Sequence, residues 1–366
     1  MTYSSDPLFI FLFSSIVITR FLLSFTIFRY PLAGILACLL VDGVDQTVFQ
    51  TFGFDPPFYQ NYDKAMDVFY LSIAFISTMR NWESSSAFGV SRFLFFYRQF
   101  GVVAFELSGW RPLLVIFCNT FEYYFIAYEA IRTRWNTARF QLMFWVTTAA
   151  LIWVFIKLPQ EYWIHIAQLD FTDTVRDVPW FGPLIVAGLV VLGLVFWFVV
   201  RPRLAPADHA WRFAAPAPPP ELDTPQKRAA FVATHARVWS AATAEKIALV
   251  GMLSIIFASL LPGADVAPLH MLLWVGCFAL INAAVTIALA KRGRNIDADW
   301  RGFLLRYTGN LVLLLVVKNF VYEAFQLDDA CFFVLLFTVL VTTYNRYRPY
   351  YDLRFPKADA DALEVA

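Results

Sequence analysis

Long apolar runs separated by short polar turns dominate the chain. A membrane core of about 30 Å needs roughly 20 helical residues, and apolar runs of that size recur along the whole sequence. The predicted spans are residues 8–28, 31–50, 62–79, 88–107, 112–131, 139–157, 180–200, 243–261, 268–290, 303–324 and 330–345. The pattern therefore predicts an all-α, polytopic membrane protein with about eleven transmembrane helices, within a range of roughly 10 to 12.

Composition excludes a water-soluble protein. Hydrophobic residues make up 59% of the chain, charged residues 16%, and the mean hydropathy is +0.58, whereas ordinary soluble domains carry about 25% charged residues. The 29 Lys and Arg nearly balance the 28 Asp and Glu, so no net field attracts nucleic acid. The expected partner is the lipid bilayer, with a lipidic substrate as a further candidate and no nucleic acid.

The basic residues predict the orientation of the spans. Twenty Lys and Arg fall in or beside the odd-numbered turns or beyond the last span, and four fall in or beside the even-numbered turns: Lys64, Arg111, Lys157 and Arg176. Cytoplasmic turns are enriched in Lys and Arg. We therefore expect a multi-pass protein of the cell membrane with its N-terminus outside and its C-terminus in the cytoplasm.

One long polar segment divides the chain. It is rich in proline, which favours an extended and unpacked tether, and Thr224 followed by Pro225 is typical of a helix start. A cytoplasmic helix is expected to begin there and continue into the eighth span. The predicted division is a seven-helix unit with a polar core at 1–200, a cytoplasmic linker and helix at 201–242, a four-helix unit at 243–346 and a cytoplasmic tail at 347–366.

Ionisable residues inside the predicted spans mark the candidate site. A lone charge at the centre of a membrane helix costs about 2.5–3.5 kcal/mol, so such residues should face each other. Asp42, Arg98 and Glu122 have matching depths near the midplane, which predicts one ionic cluster. Asp45 and Asp67, with Lys318, are expected in an outer layer.

Helical spacing adds Gln46 to the face of the second span that carries both acids. Facing polar stripes on the second and third spans would line a cleft that opens outward. We take Asp42, Asp45 and Asp67 as candidate catalytic residues, and Lys318, Arg98, Glu122 and Gln46 as candidate binding residues. The alternative is that these groups only hold the bundle together through ion pairs and hydrogen bonds.

A second constellation follows the sixth span. Residues 157–173 form an amphipathic stretch that favours an interfacial helix near 160–170, and Glu161 and His165 share one of its faces. The pair would serve as two metal ligands, or as a base and its orienting group. Further acidic or histidine residues predicted near this surface are Asp55, Asp63, Glu106, Asp265, His270, Asp328 and Asp329. This outer rim suggests a divalent cation, and a solvated acidic face is the alternative.

Other cofactors find no support in the sequence. No histidine lies in the interior of a predicted span, since His270 is at the outer end of the ninth, which argues against haem. No glycine-rich phosphate loop is present, which argues against a bound nucleotide.

Three function classes stay open: a membrane-embedded protein that handles or modifies a lipid or lipid-linked substrate at the outer leaflet, an ion- or proton-coupled transporter or channel, and a non-catalytic assembly partner. Transporters usually break their central helices at Gly or Pro. Here the prolines fall mainly at the predicted span ends. Unbroken helices favour the first class, and a path along Asp42, Asp45 and Glu122 would serve the second.

Overall fold

A computed structural model of the chain describes residues 6–54, 59–169, 171–260, 268–321 and 327–356, without the side chains of 59–61, 171–173, 258–260, 268–269, 316–321 and 327–330. The described residues form helices and contain no strand. The helices are α1 Pro7–Ser24, α2 Pro31–Thr51, α3 Tyr59–Asn81, α4 Ser85–Ser108, α5 Pro112–Ile116, α6 Thr120–Arg132, α7 Leu142–Ile152, α8 Leu158–His165, α9 Phe171–Asp177, α10 Phe181–Val195, α11 Pro225–His235, α12 Ala241–Leu260, α13 Pro268–Lys291, α14 Trp300–Val321 and α15 Leu327–Arg354.

Local sequence signals set many helix ends. The Asp6 carboxylate accepts a hydrogen bond from the amide of Leu8 and caps α1, and Ser84 caps α4 in the same way. Pro31 begins α2, where the missing N–H costs nothing. Gly109 ends α4 with a φ of 67°, a conformation that glycine adopts without strain. These signals agree with the span limits expected from the sequence.

Among the described residues, helices lie within every predicted span, and five helical stretches are both long and apolar enough to cross a membrane. These stretches are Pro7–Phe28, Pro31–Thr51, Leu142–His165, Phe181–Arg203 and His270–Lys291. The all-α class and a membrane-spanning composition are thereby confirmed.

The expectation of unbroken helices is wrong for the fifth predicted span. Helix α5 ends at Ile116 and α6 begins at Thr120, so the chain leaves helical geometry at residues 117–119. The φ and ψ of Phe117 are −96° and 49°. Side chains from α4 and α8 satisfy the main-chain groups exposed by this break, as described below, which makes the break stable without a Gly or Pro.

The sixth span runs further than expected. A turn of π-helix at Trp153–Lys157 joins α7 to α8, so the helix continues from Leu142 to His165. Pro159 cannot donate a main-chain hydrogen bond, and its ring would crowd the carbonyl four residues earlier. The wider π turn accommodates it. Residues 158–165 thus extend the sixth span, and a separate helix α9 follows.

Helix α3 forms the centre of the molecule. Every residue from Val68 to Met79 is buried. Both halves of the chain pack on α3, because α15 and α12 lie against it together with α1 and α2. The Phe75 and Phe95 rings stack at 4.4 Å between centroids and join α3 to α4. Buried residues of α2 to α7, before the linker, and of α12, α13 and α15, after it, therefore form one apolar core.

The linker and several turns meet at one end of the bundle, which we call the linker face. The Arg80 guanidinium donates to the Phe28 and Pro216 carbonyls, and Arg354 donates to the Trp82 carbonyl. The Asp208 carboxylate pairs with Arg139. The expectation of an unpacked tether is wrong, since the extended linker is hydrogen-bonded to the turns that it crosses.

Two helix limits on the linker face also differ from expectation. Thr224 caps α11 as expected, but α11 ends at His235 and α12 begins at Ala241, so the two helices are separate. Helix α15 includes Pro349 and continues to Arg354, into the segment expected as a tail. Its last turns persist because the Arg348–Asp352 ion pair and the buried Tyr350 hold them.

Candidate functional site

Arg20 of α1 binds four aspartates at once. Its guanidinium contacts Asp42, Asp45 at 2.5 Å, Asp63 at 2.8 Å and Asp67 at 2.8 Å. It also lies over the Tyr62 ring, 5.3 Å from the centroid. Three helices therefore converge on one buried cation, and we call Arg20 with its four aspartates the Arg20 cluster.

Helix geometry explains this convergence. Arg20 lies eight residues before the end of its helical stretch at Phe28, and Asp42 lies eleven residues after Pro31, which corresponds to about 12 and 17 Å of helix. Side chains tilt towards the N-terminus of their own helix, and the long guanidinium reaches in that direction to the level of the acids. Asp63 and Asp67 are four residues apart and share one face of α3.

The cluster carries excess negative charge. One guanidinium faces four carboxylates, a formal charge of −3 when all are ionised. The Asp45 side chain is fully buried, whereas the side chains of Asp42, Asp63 and Asp67 are 22%, 31% and 36% exposed. These three accessible residues each place a carboxylate oxygen within 4.8 Å of the others. An all-oxygen set of this kind suits a hard cation such as Mg²⁺, Mn²⁺ or Ca²⁺.

A second polar group lies beside the helix break. The Tyr70 hydroxyl, one turn from Asp67 on α3, donates to Glu122 at 2.5 Å. The Asn119 amide donates to the other oxygen of Glu122 at 3.1 Å. Glu122 is in the first turn of α6, where a carboxylate is favoured by the helix dipole. Its position beside α3 brings it next to the Arg20 cluster.

Glu161 of α8 joins this group from the other side. Its carboxylate pairs with Lys157 at 3.1 Å and with the Nε2 atom of His165 at 3.0 Å, and it accepts the Asn119 main-chain amide at 3.3 Å. The expected proximity of Glu161 and His165 is present. Glu161 also satisfies an amide that the helix break exposes, a contact that sequence spacing did not predict.

The predicted cluster of Asp42, Arg98 and Glu122 is wrong. The Arg98 guanidinium donates to the main-chain carbonyls of Leu114 at 3.4 Å and Phe117 at 3.1 Å, while Asp42 pairs with Arg20. Arg98 therefore satisfies the C-terminal end of α5, where a cation is favoured. The prediction failed because an unbroken helix would have offered Arg98 no free carbonyl.

The remaining predicted residues lie apart from the cluster or outside the described side chains. Gln46 is exposed on α2, since its neighbour Asp45 takes the inward position. The side chain of Lys318 is not among those described, so Arg20 is the cation that the structure shows beside the acids.

The expected outer rim is partly described. Asp63 belongs to the Arg20 cluster, and Glu106 pairs with Lys64 at 3.7 Å. Asp55 and Asp265, with the side chains of Asp328 and Asp329, lie outside the described part of the chain.

The role of Arg20 was not predicted from the sequence, and Asp63 was placed on the polar stripe of the third span and on the outer rim without being taken as a site residue. Arg20 was visible as the charge that interrupts the otherwise apolar first span. Such a residue must find a partner on a neighbouring helix, and the adjacent helix of the hairpin carries Asp42 and Asp45. Asp63 was marked by its spacing of four residues from Asp67.

Comparison with known proteins gives no match to a protein-family model, a curated protein or a solved structure.

Proposed function

We propose that this protein is a multi-pass membrane protein that binds a divalent cation at Asp42, Asp63 and Asp67 and uses it to handle a lipid or lipid-linked substrate at the outer leaflet. The observation that carries the proposal is the close approach of three partly exposed carboxylates. In the described structure Arg20 is the one cation that compensates the four acids of the cluster. A bound divalent cation would offset most of the remaining charge.

The position of the site supports a substrate from the membrane. Arg20, Asp42 and Asp45 belong to two helices that are long and apolar enough to cross a bilayer. Around the acids, these helices expose large apolar side chains such as Ile18, Leu22 and Leu40. A lipid can therefore contact these helices at the depth at which the carboxylates lie.

The orientation belongs to the same proposal. We infer that the linker face is cytoplasmic, because its turns carry Arg29, Arg80, Arg132 and Arg139 and such residues favour the cytoplasmic side. Asp67 lies thirteen residues before Arg80 on α3, about 20 Å along the helix. The Arg20 cluster would then lie in the outer half of the membrane.

Binding of Mn²⁺ tests the cation site. Purified full-length protein in lipid nanodiscs should bind Mn²⁺, measured by electron paramagnetic resonance, with competition by Mg²⁺ or Ca²⁺. Asp63→Asn and Asp67→Asn should each weaken binding by about tenfold or more, because each removes one charged ligand. Glu106→Gln is the matched control, since it removes a carboxylate that pairs with Lys64. Equal Mn²⁺ binding by the wild type and both Asn variants would exclude the site.

A coupled transporter is the second candidate function, favoured by the break between α5 and α6. Transporters place polar groups at the ends of broken helices, and here Glu122 and Arg98 take those positions. Purified protein in liposomes with an internal pH dye should then show proton flux that Glu122→Gln abolishes. Absence of flux in liposomes that retain Mn²⁺ binding would favour the lipid-handling proposal.

A further inference from the structure

A cavity of about 430 Å³ opens on the linker face between α11, α12, α13 and α15. Its volume lies in the range of small-molecule sites. It is lined by Lys246 of α12, Arg237 from the connection before it, and Arg348 and Asp352 of α15. The Arg20 cluster is formed by α1, α2 and α3, so the cavity and that cluster are separate sites.

The ammonium of Lys246 has no acidic partner there. Lys246 is 4% exposed and donates to the side-chain oxygen of Asn345 at 2.9 Å. Within the described residues no carboxylate forms an ion pair with it; Asp297 attracts it only from a longer distance and is itself paired with Arg306. An ammonium has three donors, and a buried charge without a counter-charge is costly. The cavity that Lys246 lines is the place from which an anion can reach it.

The other charges around the cavity do not neutralise Lys246. Arg348 already holds Asp352 at 2.8 Å and Glu245 at 3.2 Å, and Arg306 behind the cavity holds Asp297 at 2.7 Å. Arg237 is exposed and has no ion pair among the described residues. Lys246 and Arg237 thus leave two positive charges without acidic partners.

We propose that this cavity binds a phosphate-bearing ligand with an organic part. Lysine is a common phosphate ligand, and the hydroxyls of Ser240 and Thr243 line the same cavity. Val232, Ala283 and Ile287 provide an apolar portion of the wall. The cavity is larger than an inorganic phosphate needs, so the ligand is either a soluble phosphate ester or the headgroup of an anionic lipid.

Ligand-dependent thermal stability distinguishes these two sources. Full-length protein in phosphatidylcholine nanodiscs is titrated with glycerol 3-phosphate, and a parallel sample uses nanodiscs that contain phosphatidic acid. A rise in melting temperature with glycerol 3-phosphate identifies a soluble ester, and a rise with phosphatidic acid alone identifies a lipid headgroup. No rise in either sample, or an equal rise with potassium chloride at matched ionic strength, overturns the proposal.

Substitutions of Lys246 and Arg237 test whether the ligand raises the melting temperature by binding in this cavity. Lys246→Gln should raise the half-saturating ligand concentration about tenfold or more, as expected for a lost charged hydrogen bond. The same variant should have a higher melting temperature without ligand, because a buried unpaired charge is removed. Arg237 is exposed, so Arg237→Gln should fold normally, and it should raise the half-saturating ligand concentration about threefold. Lys227→Gln, which removes an exposed lysine paired with Asp223, is the control. If Lys246→Gln and Arg237→Gln both bind like the control, the cavity is not the site.

Discussion

The guanidinium of Arg98 donates to the main-chain carbonyl of Phe117 at 3.1 Å and so satisfies the end of a helix that stops inside the bundle. Arg98→Ala should lower the free energy of unfolding by about 2 kcal/mol, because hydrogen bonds to charged groups contribute about that amount. Chemical denaturation in detergent measures the loss. Arg111→Ala, an exposed arginine near the same helix, is the control and should lie near wild type.

Additivity provides a separate check on the assignment of Arg98. Because Arg98 binds carbonyls and Glu122 binds Tyr70 and Asn119, the two residues have no direct ion pair. The double variant Arg98→Ala/Glu122→Gln should therefore lose the sum of the single losses, within about 0.5 kcal/mol. Partial recovery in the double variant would show instead that the two charges are partners.

Gly101 allows the helix break to pack against α4. A Cβ atom at this position would lie 2.0 Å from the Cβ atom of Phe117. Gly101→Ala should destabilise the protein by about 1–3 kcal/mol through overpacking. Gly89→Ala on the same helix meets nothing within 4 Å and should gain about 0.5–1 kcal/mol. Thermal unfolding of both variants measures the contrast. The cost of Gly101→Ala should be largely absent in a Phe117→Gly background, which lacks the Cβ atom that would clash.

Arg20 and Asp67 should respond in opposite ways to neutralisation. Arg20→Met leaves four acids without their cation and should cost about 3–5 kcal/mol. Asp67→Asn relieves repulsion among carboxylates, so stability should remain or rise while Mn²⁺ binding weakens. Melting temperatures and Mn²⁺ binding of the same preparations give both quantities. A large loss of stability in Asp67→Asn would assign that carboxylate a structural role.

Asp208 gives a pH-dependent contact between the linker and the turn after α6. The amide of Asn136 donates to its carboxylate at 2.8 Å and, with the Arg139 guanidinium, lowers the pKa of Asp208 below its usual value. Since the pKa is lower in the folded than in the unfolded chain, the stabilisation is present above about pH 4 and is lost as the pH falls through the folded value. The protection factor of the Asn136 amide, which is the ratio of its intrinsic to its observed exchange rate and so corrects for the intrinsic pH dependence, should therefore fall as the pH drops through the folded pKa, and Asp208→Asn should remove this change.

Labelling of introduced cysteines tests the orientation. A cysteine at Ala217 of the linker should be protected from an impermeant thiol reagent in intact cells, whereas cysteines at Ser5 and Asp328 should react. The native Cys38 and Cys118 are buried, and an unsubstituted sample corrects for all native thiols. Reaction at position 217 from outside would reverse the proposed orientation.

The sequence predicted the helices well and their contacts less well. Apolar runs and turn residues fix where helices lie, because both are local properties, and the acids Asp42, Asp45 and Asp67 were found from the cost of burying charge. Their partner was not predicted, since the choice between Arg20, Arg98 and Lys318 depends on which helices are neighbours. The break at residues 117–119 was missed because no Gly or Pro marks it. It depends on Arg98, Gly101 and Glu161, which are distant in sequence.

The helical stretch Phe181–Arg203 differs from the rest of the bundle, because none of its residues is buried. Partitioning from water into hydrocarbon must then provide most of the free energy that positions it, and this quantity depends on amino-acid composition more than on residue order. Shuffling the apolar residues of this stretch should be tolerated, whereas a comparable shuffle of Val68–Met79 should not. The stretch is thus a suitable attachment point for a spectroscopic probe, since a label at an exposed position such as Leu189 would displace no buried side chain.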